Sequence, residues 1–180
     1  MKHYCFFIKH DIAWGSSKER IGNYLPSLTA QGHRYTVISL IPTRLSHSWI
    51  GGNPLPWGLR SVASFFHGHL LRYVKMLWLI RHAKQFDAIV IQKVTFPKLW
   101  LAWLKAKSRK LVFDFDDLCF RTPDLEKNAS PMEHLRLRWN FFQDPRTLVY
   151  FDHILAGNKY LLQLATAAAP TNAILSTQEF

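Results

Sequence analysis

The residues best suited to chemistry are three carboxylates within four positions, Asp114, Asp116 and Asp117, directly after the apolar run 111–113. Carboxylates this close together repel one another unless a cation or a hydrogen-bond donor lies nearby. Such a cluster suits a general base, a metal clamp, a charge partner for nearby cations, or a structural cap of the next segment. If the strand extends far enough, alternation places Asp114 and Asp116 on the same side of it.

Small or charged residues also follow three other apolar runs, and these are the remaining candidates for ligand contact: Gly15, Ser16 and Arg20; Lys93; and Gly157 and Asn158. The first group could bind an anion at a helix start or form a simple N-cap loop. Lys93 could reach a ligand or be a solvated lysine at a strand end. Asn158 could contact a substrate or cap the helix that follows it.

Several familiar sites are absent from the sequence. It contains no G-x-G-x-x-G, Walker A or G-x-S-x-G motif, and its nine histidines show no metal-ligand spacing. The two cysteines, Cys5 and Cys119, exclude a disulfide scaffold and a cysteine-based zinc site. We expect both to be buried free thiols in a reducing compartment, and we expect no metal and no bound cofactor.

The elements that must position these residues alternate between strand and helix. Short apolar runs predict strands at 3–8, 35–41, 87–92, 110–114, 153–156 and 173–175. Helical spacing predicts helices at 17–30, 62–84, 98–107, 132–142 and 159–168, the first kinked or split by Pro26. This order predicts an α/β fold, a doubly wound parallel sheet of the Rossmann type, in which ligands gather at the carboxyl ends of the strands.

Charge is concentrated in the middle of the 180-residue chain, whose formal net charge is +11. Residues 57–110 carry eleven Lys or Arg residues against the single acid Asp87, together with many aromatics. This composition favours an anionic membrane surface, nucleic acid, or a merely solvated basic face. On the helix at 62–84, we expect Arg72 and Lys75 to be exposed together and to face a membrane.

The sequence shows no secretory signal and no apolar stretch of the length needed to span a bilayer. The expected location is therefore the cytoplasm, with peripheral attachment to the inner face of the plasma membrane as an option. Neither an RNA-binding nor a helix-turn-helix signature is present, which makes nucleic acid an unlikely partner.

Four segments resemble GT-B glycosyltransferases of the family 4 type. They are residues 15–37, with L-P-S-L and T-V around a glycine; 86–93, F-D-A-I-V-I-Q-K; 111–117, L-V-F-D-F-D-D; and 151–161, F-D-H-I-L-A-G-N-K-Y-L, with I-L-S-T after them. The resemblance implies the N-terminal, acceptor-side Rossmann-like domain of such an enzyme over residues 1–180. It also implies a C-terminal nucleotide-sugar domain that this sequence does not include, so we expect a fragment, a truncated reading frame or half of a split enzyme.

The resemblance further implies transfer of a hexosyl group from a nucleotide sugar to a lipid-linked or polysaccharide acceptor in cell-surface glycan synthesis. Asp116 or Asp117 would be the catalytic base or would position the acceptor. The implied substrate contacts are Gly15, Ser16, Arg20, Lys93, Asp114, Gly157 and Asn158. Two alternatives stay open: a metal-dependent transferase of the GT-A type using Asp114-x-Asp116, and a non-catalytic module that binds membrane or nucleic acid.

Overall fold

The computed structural model describes residues 1–13, 15–40, 57–116, 144–169 and 173–175, and along 57–69 and 173–175 it describes the backbone alone. The strands are β1 (His3–Ile8), β2 (Arg34–Ser39), β3 (Ala88–Gln92), β4 (Leu111–Phe115), β5 (His153–Ala156) and β6 (Ala173–Leu175). They form one sheet in the order β2-β1-β3-β4-β5-β6, and every neighbouring pair is parallel. The predicted doubly wound parallel sheet is confirmed.

The helices are α1 (Gly15–Arg20), α2 (Leu25–Ala30), α3 (Trp57–His82), α4 (Lys98–Lys107) and α5 (Lys159–Ala168). The single helix expected at 17–30 is split into α1 and α2 by a 3-10 turn at Gly22–Tyr24. Pro26 lies in the first turn of α2, where its missing N–H costs no helical hydrogen bond. The helix expected at 132–142 lies outside the described residues, as do Asp117 and Cys119.

The helices pack on both faces of the sheet. Ile21 and Leu25 form a small core with Ile8 under α1 and α2. The larger core lies on the other face, where α3, α4 and α5 cover side chains of β1, β3, β4 and β5. Because successive side chains of a strand point to opposite faces, Phe113 and Phe115 enter the larger core and Asp114 points to the opposite face.

The order of the strands reverses between β1 and β3. The chain moves outward from β1 to β2 and then returns across β1 to begin β3 on its other side. In doubly wound sheets, such a switch point leaves a crevice beyond the carboxyl ends of the two strands, and ligands bind there. The fold therefore places its most favourable ligand position next to the residues that follow β1 and β3.

Two other acids secure the opposite, amino edge of the sheet. Asp87 precedes β3 and accepts a hydrogen bond from the His3 amide at 2.7 Å, while Asp152 precedes β5 and accepts one from the Leu111 amide at 2.7 Å. Each also pairs with a cation: Asp87 with Arg109 and Asp152 with Lys105. Asp87 and Asp152 therefore each connect the starts of two neighbouring strands, at the edge of the sheet opposite the carboxyl ends.

The orientation of α3 differs from the one expected for the membrane-facing residues Arg72 and Lys75. Arg72 lies on the sheet side of the helix, with its guanidinium 4.9 Å from the centre of the Phe96 ring, and burial lowers its pKa to about 10. Lys75 donates a hydrogen bond from its ammonium to the carbonyl of Ser39. The expectation that Arg72 and Lys75 are exposed together was wrong, because the helix turns these residues toward the sheet and the end of β2.

Cys5 is buried in the larger core and forms no disulfide, and burial raises the pKa of its thiol to about 12. A thiol in this environment is a small apolar side chain and a poor nucleophile at neutral pH. Among the described helices, none combines the length and the apolar character needed to cross a bilayer.

Candidate functional site

The carboxyl edge of the sheet brings the sequence-predicted residues together. Parallel pairing aligns Ile8 with Gln92 and Gln92 with Asp114, so β1 and β3 end at one level and β4 ends one residue beyond it. The loop to α1 leaves β1 at this edge, Lys93 follows β3, Asp116 follows β4, and Gly157 follows β5. Scattered over more than 140 residues of sequence, these groups become neighbours because all their strands point the same way.

The half-buried Arg20 and the buried Asp114 form an ion pair beneath the switch point. The Arg20 Nε lies 3.0 Å from each carboxylate oxygen of Asp114, and a terminal guanidinium nitrogen also contacts Oδ1. The hydrogen bonds to Asp114 raise the pKa of Arg20. Asp114 is only 3% exposed, so it cannot contact a ligand without a rearrangement. This pair neutralises a charge inside the protein and ties the end of α1 to β4.

Lys93 and Asp116 form a second, more accessible ion pair at the same edge. The ammonium of Lys93 contacts Oδ1 of Asp116, and the two side chains are 12% and 25% exposed. Lys93 is the only residue other than glycine with a positive φ among the described residues, at 55°. Its amide donates to the Asp114 carbonyl at 2.9 Å, which continues the pairing of β3 with β4 past the end of the strand.

Backbone strain of this kind persists only where surrounding contacts hold it, and it is common at functional sites. At Lys93, those contacts include the hydrogen bond to Asp114 and the ion pair with Asp116. Their combined effect is to direct a lysine ammonium toward the one described carboxylate of the 114–117 cluster that reaches solvent.

Gly157 lies against Asp116 from the neighbouring strand. Its amide donates to the Phe115 carbonyl at 2.8 Å. A Cβ at position 157 would lie 2.6 Å from the Asp116 Cα and 2.8 Å from its Cβ, closer than real side chains approach. Glycine is needed here because the β5 end packs directly on the backbone of Asp116, and this contact sets the position of the carboxylate.

A buried hydrogen bond spans the switch point itself, and sequence reasoning missed its importance. The Ser17 hydroxyl donates to Oε1 of Gln92 at 2.8 Å, and both side chains are buried. The Gln92 amide nitrogen also lies 3.4 Å from the Ser16 carbonyl. The available signal was a glutamine ending the otherwise apolar strand 88–92, since a polar side chain at such a buried position needs a partner.

His10 is a second residue that sequence reasoning missed. It follows β1 at the same edge, is half-buried, and lies within electrostatic range of Lys93. Burial lowers its pKa, and the positive charges of Lys9 and Lys93 lower it further. A neutral imidazole at this edge can accept a proton or a hydrogen bond from a hydroxyl group.

Some of the remaining predicted residues at this edge already have a structural role, and others do not. Asn158 caps α5, because its Oδ1 accepts the Leu161 amide at 2.9 Å. Gly15, the first residue of the six-residue helix α1, has φ of 44° and open space where a Cβ would be. The proposed contact of Gly15 and Ser16 with a donor phosphate stays a prediction, and Asp117 lies outside the described residues.

The cations in this site bear on the metal-dependent alternative. Each described carboxylate of the Asp114-x-Asp116 pattern already has a partner, Arg20 for Asp114 and Lys93 for Asp116. Binding a divalent cation there would require both ion pairs to open. Within the part of the chain that the structure describes, no group of three or more His, Cys, Asp or Glu side chains is arranged to hold a metal ion.

The fold and this site define the class of protein: a doubly wound, Rossmann-like α/β protein with a charged site at the β1/β3 switch point. No protein-family model matches the chain, and no curated protein matches it at a significant level of similarity.

Proposed function

We propose that this protein is the acceptor-side half of a GT-B glycosyltransferase, which transfers a hexosyl group from a nucleotide sugar to a lipid-linked or polysaccharide acceptor. The observation that carries the proposal is the partly exposed Asp116 side chain beyond the carboxyl end of β4, whose carboxylate pairs with Lys93 and whose Cα and Cβ pack on Gly157. A carboxylate positioned in this way suits the orientation and deprotonation of a hydroxyl group.

In the proposed reaction, the acceptor hydroxyl donates a hydrogen bond to Asp116, which directs its oxygen toward the anomeric carbon of the donor sugar. The new carbon–oxygen bond forms as the bond to the nucleoside diphosphate breaks. The hydroxyl proton passes to Asp116, and the diphosphate leaves with the electron pair. Asp117 is the second candidate for the same role. Orientation of the two reactants can supply about 7–11 kcal/mol of the barrier.

The buried pairs beneath Asp116 support this role by making its surroundings rigid. Arg20–Asp114 and Ser17–Gln92 tie the segment after β1 to β4 and β3, directly under the switch point. A catalytic group works best when the residues around it are fixed before the substrate binds. Arg20 is therefore assigned a positioning role in this proposal, in place of direct contact with a donor phosphate.

The metal-dependent alternative receives less support, because its two described carboxylates are each paired with a cation. Metal dependence separates the two reactions cleanly. A GT-B reaction of the proposed kind continues in excess EDTA, whereas a transferase using Asp114-x-Asp116 to hold a metal on the nucleotide diphosphate stops.

The first test is ligand binding by the 180-residue chain, with amide NMR as the readout. The probes are UDP-glucose, GDP-mannose, and a short-chain lipid pyrophosphate carrying N-acetylglucosamine. We expect the lipid-linked sugar to shift amide signals of Lys93, Asp116 and Gly157, and Asp116→Asn to weaken its binding. Asp87→Asn is the matched control, because Asp87 also pairs with a cation but lies at the amino edge. Perturbations confined to the amino edge would overturn the proposal.

The second test is turnover, measured as acceptor-dependent release of nucleoside diphosphate. The chain is assayed together with a GT-B nucleotide-sugar domain, fused or supplied separately, because transfer needs donor and acceptor held in contact. We expect EDTA-resistant turnover that Asp116→Asn lowers by about 10²–10⁴-fold. Turnover that is unchanged in Asp116→Asn, or that requires magnesium or manganese, would contradict the assignment.

A further inference from the structure

Six large apolar side chains are exposed on the outer surface of α3 and α4. On α3 they are Leu70, Val74, Leu77 and Trp78, with exposures of 68%, 54%, 45% and 43%. On α4 they are Leu99 and Trp103, at 83% and 49%. The spacing on α3 is that of one helical face. We refer to these six residues as the outer apolar surface.

The two helices present this surface side by side. Both cover the same face of the sheet, and Tyr73 of α3 contacts Trp100 of α4 with ring centres 5.2 Å apart. Their sheet-facing sides are complete, since Leu79 of α3 and Leu101 of α4 are buried in the larger core. The outer apolar surface is therefore additional to the side chains that the fold needs.

The charged residues of α3 and α4 themselves are all basic, although Lys98 and Lys105 of α4 pair with Asp144 and Asp152 of neighbouring segments. Residues 57–86 contain no Asp or Glu, and Arg81 and Lys84 are exposed at the end of α3. On α4, the Lys107 ammonium lies 5.4 Å from the centre of the Trp103 ring. Exposed aromatic and aliphatic side chains bordered by cations are typical of helices that lie in a membrane interface.

We propose that the outer apolar surface binds anionic phospholipid bilayers, with its apolar side chains entering the boundary between headgroups and acyl chains. Arg81, Lys84 and Lys107 then face the lipid phosphates, where each cation contributes favourably. Insertion of apolar side chains carries the binding, and Arg72 and Lys75 take no direct part, because they face the sheet and the end of β2.

A second copy of the chain fits this surface less well. A symmetric contact would place the acid-free helices α3 and α4 against an identical surface, which offers no carboxylate to pair with Arg81, Lys84 or Lys107. Like charges in such a contact oppose association, whereas an anionic bilayer offers complementary charge over the whole surface.

The test is flotation of the 180-residue chain with vesicles of phosphatidylcholine, either pure or with about 30% phosphatidylglycerol. We expect binding to the anionic vesicles and little to the neutral ones. The double variant Val74→Gln/Leu77→Gln should bind about ten-fold or more weakly, because two inserted side chains become polar. Val149→Gln is the matched control, since Val149 is 53% exposed but lies outside α3 and α4, and it should bind like the wild type.

A second pair of variants tests the charges. Arg81→Gln/Lys84→Gln should weaken binding to anionic vesicles by about ten-fold. The variant Lys2→Gln/Arg34→Gln removes the same charge from exposed positions near the starts of β1 and β2, and should have little effect. Circular dichroism checks that each variant is folded, and no donor or acceptor sugar is present, so the result is independent of transferase activity.

Three results would overturn the proposal. The first is unchanged binding by Val74→Gln/Leu77→Gln, and the second is equal binding to neutral and anionic vesicles. The third comes from light scattering: a dimer that the same double variant dissociates would assign the surface to a second copy. A monomer in the absence of vesicles is the expected result.

Discussion

Gly157 and Asp116 approach so closely that the residue after β5 determines where the carboxylate after β4 can lie. A Cβ at position 157 would meet backbone and Cβ atoms of Asp116 at 2.6 and 2.8 Å, and backbone cannot move aside as the end of a flexible side chain can. The short distance links two segments that are about forty residues apart in sequence, and it makes the glycine a specific requirement of the site.

Replacing Gly157 with alanine should therefore displace Asp116. We expect Gly157→Ala to lower the free energy of unfolding by about 1–3 kcal/mol, as overpacking does, and to shift the amide signals of Asp116 and Lys93. Denaturant titration and amide NMR measure these effects. Gly15→Ala is the control, because position 15 has open space around it and carries only the cost of its positive φ. A Gly157→Ala protein with an unmoved Asp116 would contradict the packing argument.

The buried pair Arg20–Asp114 should show strong coupling in a double-mutant cycle. Removing only one partner leaves an uncompensated buried charge, so Arg20→Met is expected to cost about 3–5 kcal/mol of stability. The double variant Arg20→Met/Asp114→Leu should be more stable than Arg20→Met, because it removes the stranded carboxylate as well.

The exposed pair Lys98–Asp144 provides the comparison, with side chains 47% and 32% exposed. Removing Lys98 should cost about 0–1 kcal/mol, as for other surface ion pairs. Chemical denaturation of the wild type, of both single variants and of the double variant for each pair gives the two coupling energies. Equal coupling for the buried and exposed pairs would mean that Asp114 is better hydrated than its position indicates.

The backbone of Lys93 predicts an unusual order of stability for two substitutions. The positive φ at position 93 is sterically unfavourable for alanine but not for glycine. Lys93→Gly should therefore be more stable than Lys93→Ala by about 1 kcal/mol. Both variants lose the ion pair with Asp116, so that loss cancels in the comparison. At Gln163, an exposed position inside α5, the order should reverse, since glycine is about 1 kcal/mol worse than alanine in a helix. Thermal or urea unfolding of the four variants decides the point.

His10 should give the site a measurable pH dependence. Its pKa is lowered in the folded protein, so the unfolded chain binds a proton more readily. This contribution to stability is complete above the unfolded pKa of about 6.5 and is lost as pH falls through the folded pKa. Histidine NMR titration should place the pKa of His10 below 6.5, with His10→Gln used to assign the signal.

The neighbour of His10 can be tested in the same titration. Lys93→Met should raise the pKa of His10 part of the way back, because burial is the larger cause and stays in place. Lys18→Met removes an exposed lysine of α1 and should leave the pKa of His10 unchanged. If the pKa of His10 is the same in Lys93→Met as in the wild type, the charge of Lys93 does not act on His10.

Much of the fold follows from the order of apolar segments. The runs 3–8, 88–92 and 153–156 are short, apolar and separated by helical patterns, and a strand of this kind can bury both faces only inside a parallel sheet. Parallel strands bring residues after their carboxyl ends to one edge. The common location of Lys93, Asp116 and Gly157 could therefore be predicted before any distance was known.

Only the tertiary structure decided which side chains pair with each other and which side of α3 faces the sheet. Asp114 and Asp116 are two residues apart in the same sequence motif. Asp114 is buried and pairs with Arg20, whereas Asp116 reaches solvent and pairs with Lys93, because their partners come from different elements. On α3, both sides carry apolar residues, so periodicity does not identify the sheet-facing side. Packing on Phe96 and the strands turns the half-buried Arg72 toward the sheet and leaves Leu77 exposed, because contact with the sheet, and not local sequence, determines how the helix is turned.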